Sequence, residues 1–80
     1  MSTLKKILNL YPDEGFVKAD GFDDAIIGIT TDGRLVYSID TIIKILKKDM
    51  SEDDAYEYFY FNIEGAYIGE HTPLYINLIN

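Results

Sequence analysis

The sequence predicts an α+β fold in which about three antiparallel strands pack against two consecutive short helices, preceded by a short N-terminal helix. Three observations carry this. Between Ser38 and Tyr67 two helical patterns stand back to back, each opened by a serine. Asp32-Gly33 separates two runs with strand character, and Leu74 to Ile79 alternates as a strand after Pro73. With 80 residues and 48% apolar content, the sequence reads as one domain over residues 1–80, small enough to gain stability from association.

Leu4, Ile7 and Leu8 keep a helical spacing that Tyr11-Pro12 stops, so Thr3 to Leu10 reads as a short helix. Asp13-Glu14-Gly15 reads as a turn, and Phe16 to Asp24 as irregular chain. Ala25 to Thr31 reads as a strand because Ile26, Ile27 and Ile29 are β-branched in an apolar run. Gly28 inside it signals a bulge or the close approach of another backbone. Asp32-Gly33 is expected at the two central positions of a type I′ turn, which needs φ > 0 at both, and Arg34 to Tyr37 is the returning strand.

Ser38 is the expected N-cap of a helix from Ile39 to about Lys48. Ile39, Ile42, Ile43 and Leu46 fall within about 100° of arc and make one buried stripe. Asp40 in the first turn and Lys47 and Lys48 in the last complement the helix dipole. Ser51 is the expected N-cap of the second helix, which runs to about Glu64, with Glu52, Asp53 and Asp54 in its first turn and Gly65 as the C′ residue. The joint at Asp49-Met50 is so short that the two helices must form a hairpin or an angled corner. Pro73 cannot occupy a strand position that donates to a central ladder, so the last strand starts after it.

The net charge is −7, from 14 acidic and 7 basic residues. That balance repels nucleic acid and anionic membranes and favours a partner with a basic protein surface. No cysteine is present, which excludes disulfides, thiolate metal sites and a Cys nucleophile. No apolar run approaches ~20 residues, and no h-region follows the first lysines, so the expected location is the cytosol. Neither a phosphate-binding loop nor a dinucleotide fingerprint surrounds Gly28 or Gly33, and no cofactor is expected. Asp20, Asp23 and Asp24 lack EF-hand spacing and read as a solvated acidic loop. The lone histidine, His71, follows Glu70 and precedes Thr72, but adjacent side chains point apart, so it reads as a loop residue and the chain as no enzyme.

The aromatic block from Tyr56 to Phe61 holds more aromatic surface than one helix face can hide. Ala55, Tyr56, Phe59, Tyr60 and Ile63 fall within about 140° of arc and form the core face. Tyr58 and Phe61 lie opposite. Either the N-terminal helix or the C-terminal segment covers them, or they form a contact patch rimmed by Glu52, Asp53 and Asp54, the composition expected of an interface.

The run from Arg34 to Leu46 and the run from Met50 to Pro73 carry a resemblance. Val36-Tyr37-Ser38 before a helix, then an acidic helix, then Phe61-Asn62-Ile63, Gly65-Ala66-Tyr67, Gly69-Glu70 and Thr72-Pro73, resembles small uncharacterised acidic proteins of tailed bacteriophages. It covers roughly Ala25 to Ile76. The resemblance implies a phage-encoded protein made in the cytoplasm of a bacterial host, and carries over no catalytic residue. By analogy with small acidic phage proteins that lack enzyme motifs, the expected role is to bind and inhibit or modulate a host protein, such as a defence or nucleic-acid-processing enzyme. The alternatives are a non-inhibitory accessory protein that pairs with itself as a homodimer and a small-molecule (nucleotide) binder.

Overall fold

Asp32 does not adopt positive φ, and this sets the geometry of the hairpin around it. The Gly33 N–H donates to the Thr30 carbonyl at 3.1 Å, and the Thr30 N–H donates to the Arg34 carbonyl at 2.8 Å. Thr31 and Asp32 are therefore the central turn residues, and Gly33 follows at φ 83. This is the three-residue loop that ends in a left-handed glycine, not the two-residue type I′ turn expected. The Thr30 hydroxyl accounts for the shift: it accepts the Arg34 N–H at 2.9 Å and donates to the Asp32 carboxylate.

The computed structural model describes residues 3–12, 15–66 and 69–79. Its elements in chain order are α1 (Thr3–Leu10), a 3₁₀ turn (Asp23–Ala25), β1 (Ile26–Ile29), β2 (Leu35–Ser38), α2 (Ile39–Leu46), α3 (Glu52–Tyr58), a π-helix (Phe59–Glu64) and β3 (Leu74–Ile76). Residues 13 and 14 of the expected turn before Gly15 lie outside the described residues.

The strands form one sheet in the order β1-β2-β3. β1 and β2 pair antiparallel, with a register shift between Ile26 and Gly28. Nothing lies within 4 Å of a Cβ built at Gly28, so that glycine marks a bulge and not a close approach. β3 pairs parallel to β2, with Val36 opposite Leu74 and Tyr37 opposite Tyr75. The α+β class and the consecutive helices stand as expected, but the sheet is mixed and not wholly antiparallel. The reason is the connection. Residues 39–73 carry α2, α3 and the π-helix between β2 and β3, a connection long enough to bring the chain back in the same direction.

Both serine caps are in place. The Thr41 N–H donates to Ser38 Oγ at 3.3 Å, and the Asp54 N–H donates to Ser51 Oγ at 3.2 Å. α2 ends at Leu46, so Lys47 caps it and Lys48 lies just beyond. Ile39, Ile42 and Ile43 are buried, and Leu46 packs beside them. They meet Leu4 and Ile7 of α1, Ile26, Leu35, Tyr37, Ala55, Phe59 and Ile63 in one core. Leu8, on the same helical spacing as Leu4 and Ile7, is exposed, because an eight-residue helix lying on β1 buries only one turn-to-turn row.

Aromatic rings join the sheet to the helices. Tyr75 lies 5.5 Å from Tyr37 across the strand pair and 5.4 Å from Phe59, edge to face. The Tyr37 hydroxyl accepts the Ala19 N–H at 2.8 Å and so pins the irregular segment to the sheet. Arg34 Nε donates to the Thr72 carbonyl at 2.7 Å, which holds the chain just ahead of β3. Pro73 is buried there, immediately before the strand begins.

Candidate protein-binding surface

At Tyr58 the α-helix gives way to a π-helix that runs to Glu64, and the aromatic block straddles the junction. The Gly65 N–H closes the last wide turn on the Tyr60 carbonyl at 3.2 Å. Gly65 has φ −70 and is not the left-handed C′ residue expected. What sets it apart is crowding: a Cβ would stand 3.1 Å from the Tyr60 carbonyl oxygen and 3.2 Å from that of Phe61. Wide turns of this kind are rare and occur often where a helix presents side chains for function.

Phe59 and Ile63 are buried, whereas Tyr58 is 44% and Phe61 76% exposed. Among the described residues α1 packs against β1, and the C-terminal segment meets Tyr58 only across a groove that Pro73 and Tyr75 also line. Tyr60, expected in the core face, is 50% exposed. A wheel drawn at the α-helical period loses phase in the π-helix, and Tyr60 instead stacks on Tyr56 at 6.5 Å and meets Phe59 edge-on at 5.2 Å. The sign of this outcome was the run of four aromatics from Tyr58 to Phe61, since four successive positions must point all round a helix.

Glu52, Asp53, Asp54 and Glu57 are all exposed on the same α3. Glu52 is drawn towards Lys47, 3.5 Å away. Among the described residues neither Asp53 nor Asp54 forms an ion pair, so their charge faces solvent. The structure thus brings the five residues singled out from sequence onto one continuous helical unit, and adds Tyr60 and Glu57.

Beside Tyr58 lies a groove of about 210 Å³, lined among others by Lys18, Asp20, Phe22, Asn62 and Tyr75. This is smaller than the ~300–1,000 Å³ of common small-molecule sites. Lys18 is engaged with Asp23 at 3.3 Å. Burial, then the neighbouring Tyr37 and Glu64, push the Tyr75 hydroxyl up to about 12. Burial likewise raises Tyr37. Both phenols are therefore neutral hydrogen-bonding groups at ordinary pH.

His71 is exposed, and with Glu70 it lies in a turn closed by the Thr72 N–H and hydroxyl on the Gly69 carbonyl, at 3.2 and 2.8 Å. The Thr72 hydroxyl points back to that carbonyl. Among the described residues no group of three acidic or histidine side chains converges as a metal site, and no helix is long and apolar enough to cross a membrane. Compared with protein-family models, curated proteins and solved structures, the chain matches none of them.

Proposed function

We propose that this chain is a phage-encoded protein that binds a basic surface of a host protein in the bacterial cytoplasm and inhibits or modulates it, a defence or nucleic-acid-processing enzyme being the target class. The observation that supports the reading is that α3 and the π-helix together expose Tyr58, Tyr60 and Phe61 and carry Asp53 and Asp54, which form no ion pair among the described residues. Aromatic rings supply contact area at little entropic cost, and carboxylates steer a basic partner. The phage origin rests on the resemblance of the Arg34–Pro73 region alone. We place no catalytic step in the chain. His71→Ala is expected to leave its biological effect intact.

The test is affinity capture from bacterial lysate with the wild type, Tyr58→Ala, Phe61→Ala and the double variant Asp53→Asn/Asp54→Asn. Each aromatic truncation should reduce capture of the target tenfold or more, about 1.4 kcal/mol or above. The double variant should flatten the salt dependence of capture. A target retained equally by all four proteins would end this reading.

A further inference from the structure

We propose that the groove beside Tyr58 receives an arginine side chain of the partner protein, its guanidinium set between aromatic walls and the Asp20 carboxylate. The inference rests on the reading of a basic partner given above and assigns the residue type by which that partner is gripped.

The groove has a volume of about 210 Å³, room for one long side chain and too little for a nucleotide-sized ligand. Its floor is apolar, since Ile63 and Pro73 line it and are buried. Half-buried Phe22 and the rings of Tyr58 and Tyr75 make its aromatic walls. The Tyr75 ring lies 5.5 Å from that of Tyr37 and 5.4 Å from that of Phe59, so packing fixes this wall before a partner arrives. The rim beside it is anchored too. The Ala19 N–H donates to the Tyr37 hydroxyl at 2.8 Å, and Asp20 follows directly in the chain. A site formed in advance loses little ordering free energy on binding.

The charges around the groove select a cation. Lys18 stands on the rim, but it is ion-paired with Asp23 at 3.3 Å. Among the described residues Asp20 and Glu64 form no ion pair. The field of Glu64 reaches the groove: after burial and Tyr37, it is the third cause that raises the Tyr75 hydroxyl. Three carboxylates thus stand against one ammonium, and an anion would be repelled. A wholly apolar side chain would strip water from the Asp20 carboxylate and offer it no partner. A guanidinium suits both surfaces. It is planar and weakly hydrated, stacks on aromatic faces, and can donate to a carboxylate and to an amide oxygen such as that of Asn62. A lysine ammonium is a strongly hydrated point charge, better suited to an open rim than to a groove walled by rings.

The test is an NMR titration of the whole chain with arginine blocked at both ends, N-acetyl-arginine N-methylamide, which copies the residue as it stands within a protein. Amide shifts at Asp20, Tyr58, Asn62 and Tyr75 should saturate with a dissociation constant on the order of 1–10 mM. Blocked citrulline, similar in shape but uncharged, and blocked lysine should each bind at least about threefold more weakly. Tyr58→Ala and Asp20→Asn should weaken blocked arginine by the same factor. Asp40→Asn removes an equal charge from an exposed position outside the groove and should bind as the wild type does. Shifts that do not saturate in this range overturn the proposal. So does citrulline or lysine that binds as tightly as arginine. Equal losses in Asp40→Asn and Asp20→Asn overturn it as well, since they mean diffuse attraction to an acidic chain. Should Tyr58→Ala unfold, as followed by circular dichroism, Asp20→Asn and the citrulline comparison decide. No partner is present in this titration, so the two readings fail separately. Arginine that does not bind, while capture of a target still depends on Phe61, sinks the groove alone. Capture that ignores Phe61 sinks the partner reading, and with it the source of the arginine.

Discussion

At residue 33 the backbone stands at φ 83, where a β-branched side chain is strained, so Gly33→Val should destabilise by roughly 1 kcal/mol or more in urea denaturation. Gly65 makes the contrasting case. Its φ of −70 suits any residue, and an ordinary helical Gly→Ala change gains up to about 1 kcal/mol. Here the two carbonyl oxygens at 3.1 and 3.2 Å belong to backbone that the π-helix holds in place. Gly65→Ala is therefore expected to lower stability, and a rise in the denaturation midpoint would refute the crowding argument. The caps differ in the same way. Ser51 is exposed, so its loss should cost about 1 kcal/mol, while Ser38 is 3% exposed and its loss should cost more, because the amide it satisfies lies deeper. Asp32 is held below the usual carboxylate value of 3.8 first by the Thr30 hydroxyl, and also by the charges of Arg34 and His71. Its contribution is present above pH 3.8 and fades only as the pH falls through the lowered value.

β3 is held to the molecule by one ring as much as by its ladder. Tyr75 touches both Tyr37 and Phe59 and is the strand's link to the π-helix. Its hydroxyl ionises near 10.0 in an unfolded chain and at about 12 in the folded one. The folded value is raised, so the stabilisation is complete below pH 10.0 and is lost as the pH climbs from there to about 12. Tyr75→Phe should therefore unfold less steeply in that alkaline window than the wild type, as followed by circular dichroism. Equal alkaline profiles would mean that the ring is not buried as described. Other elements follow local rules: α2 and α3 begin where serines can cap them.

Across the whole molecule, α3 and the π-helix carry exposed aromatic rings and carboxylates, while no side chain from Thr72 to Asn80 is charged. Because Phe61 is 76% exposed, Phe61→Ala should leave stability within about 0.5 kcal/mol while removing partner contact; a larger loss would place that ring in the core. The sequence by itself determined what depends on near neighbours: the bounds of α1, the two serine starts, the Ile39-Ile42-Ile43 stripe, and the outward direction of Tyr58 and Phe61. Capping bonds span three residues and helical faces repeat within four, so both are written locally. Tertiary structure decided the rest. Whether β3 runs parallel or antiparallel depends on where a crossover of two helices sets the chain down. Tyr60's exposure and the crowding at Gly65 come from a widened turn that the α-helical period does not encode. The Thr30 hydroxyl moved the hairpin turn by one residue. That β3 lies beside β2 and not beside β1 was likewise not written locally, because strand adjacency is a property of distant segments, not of the strand's own residues.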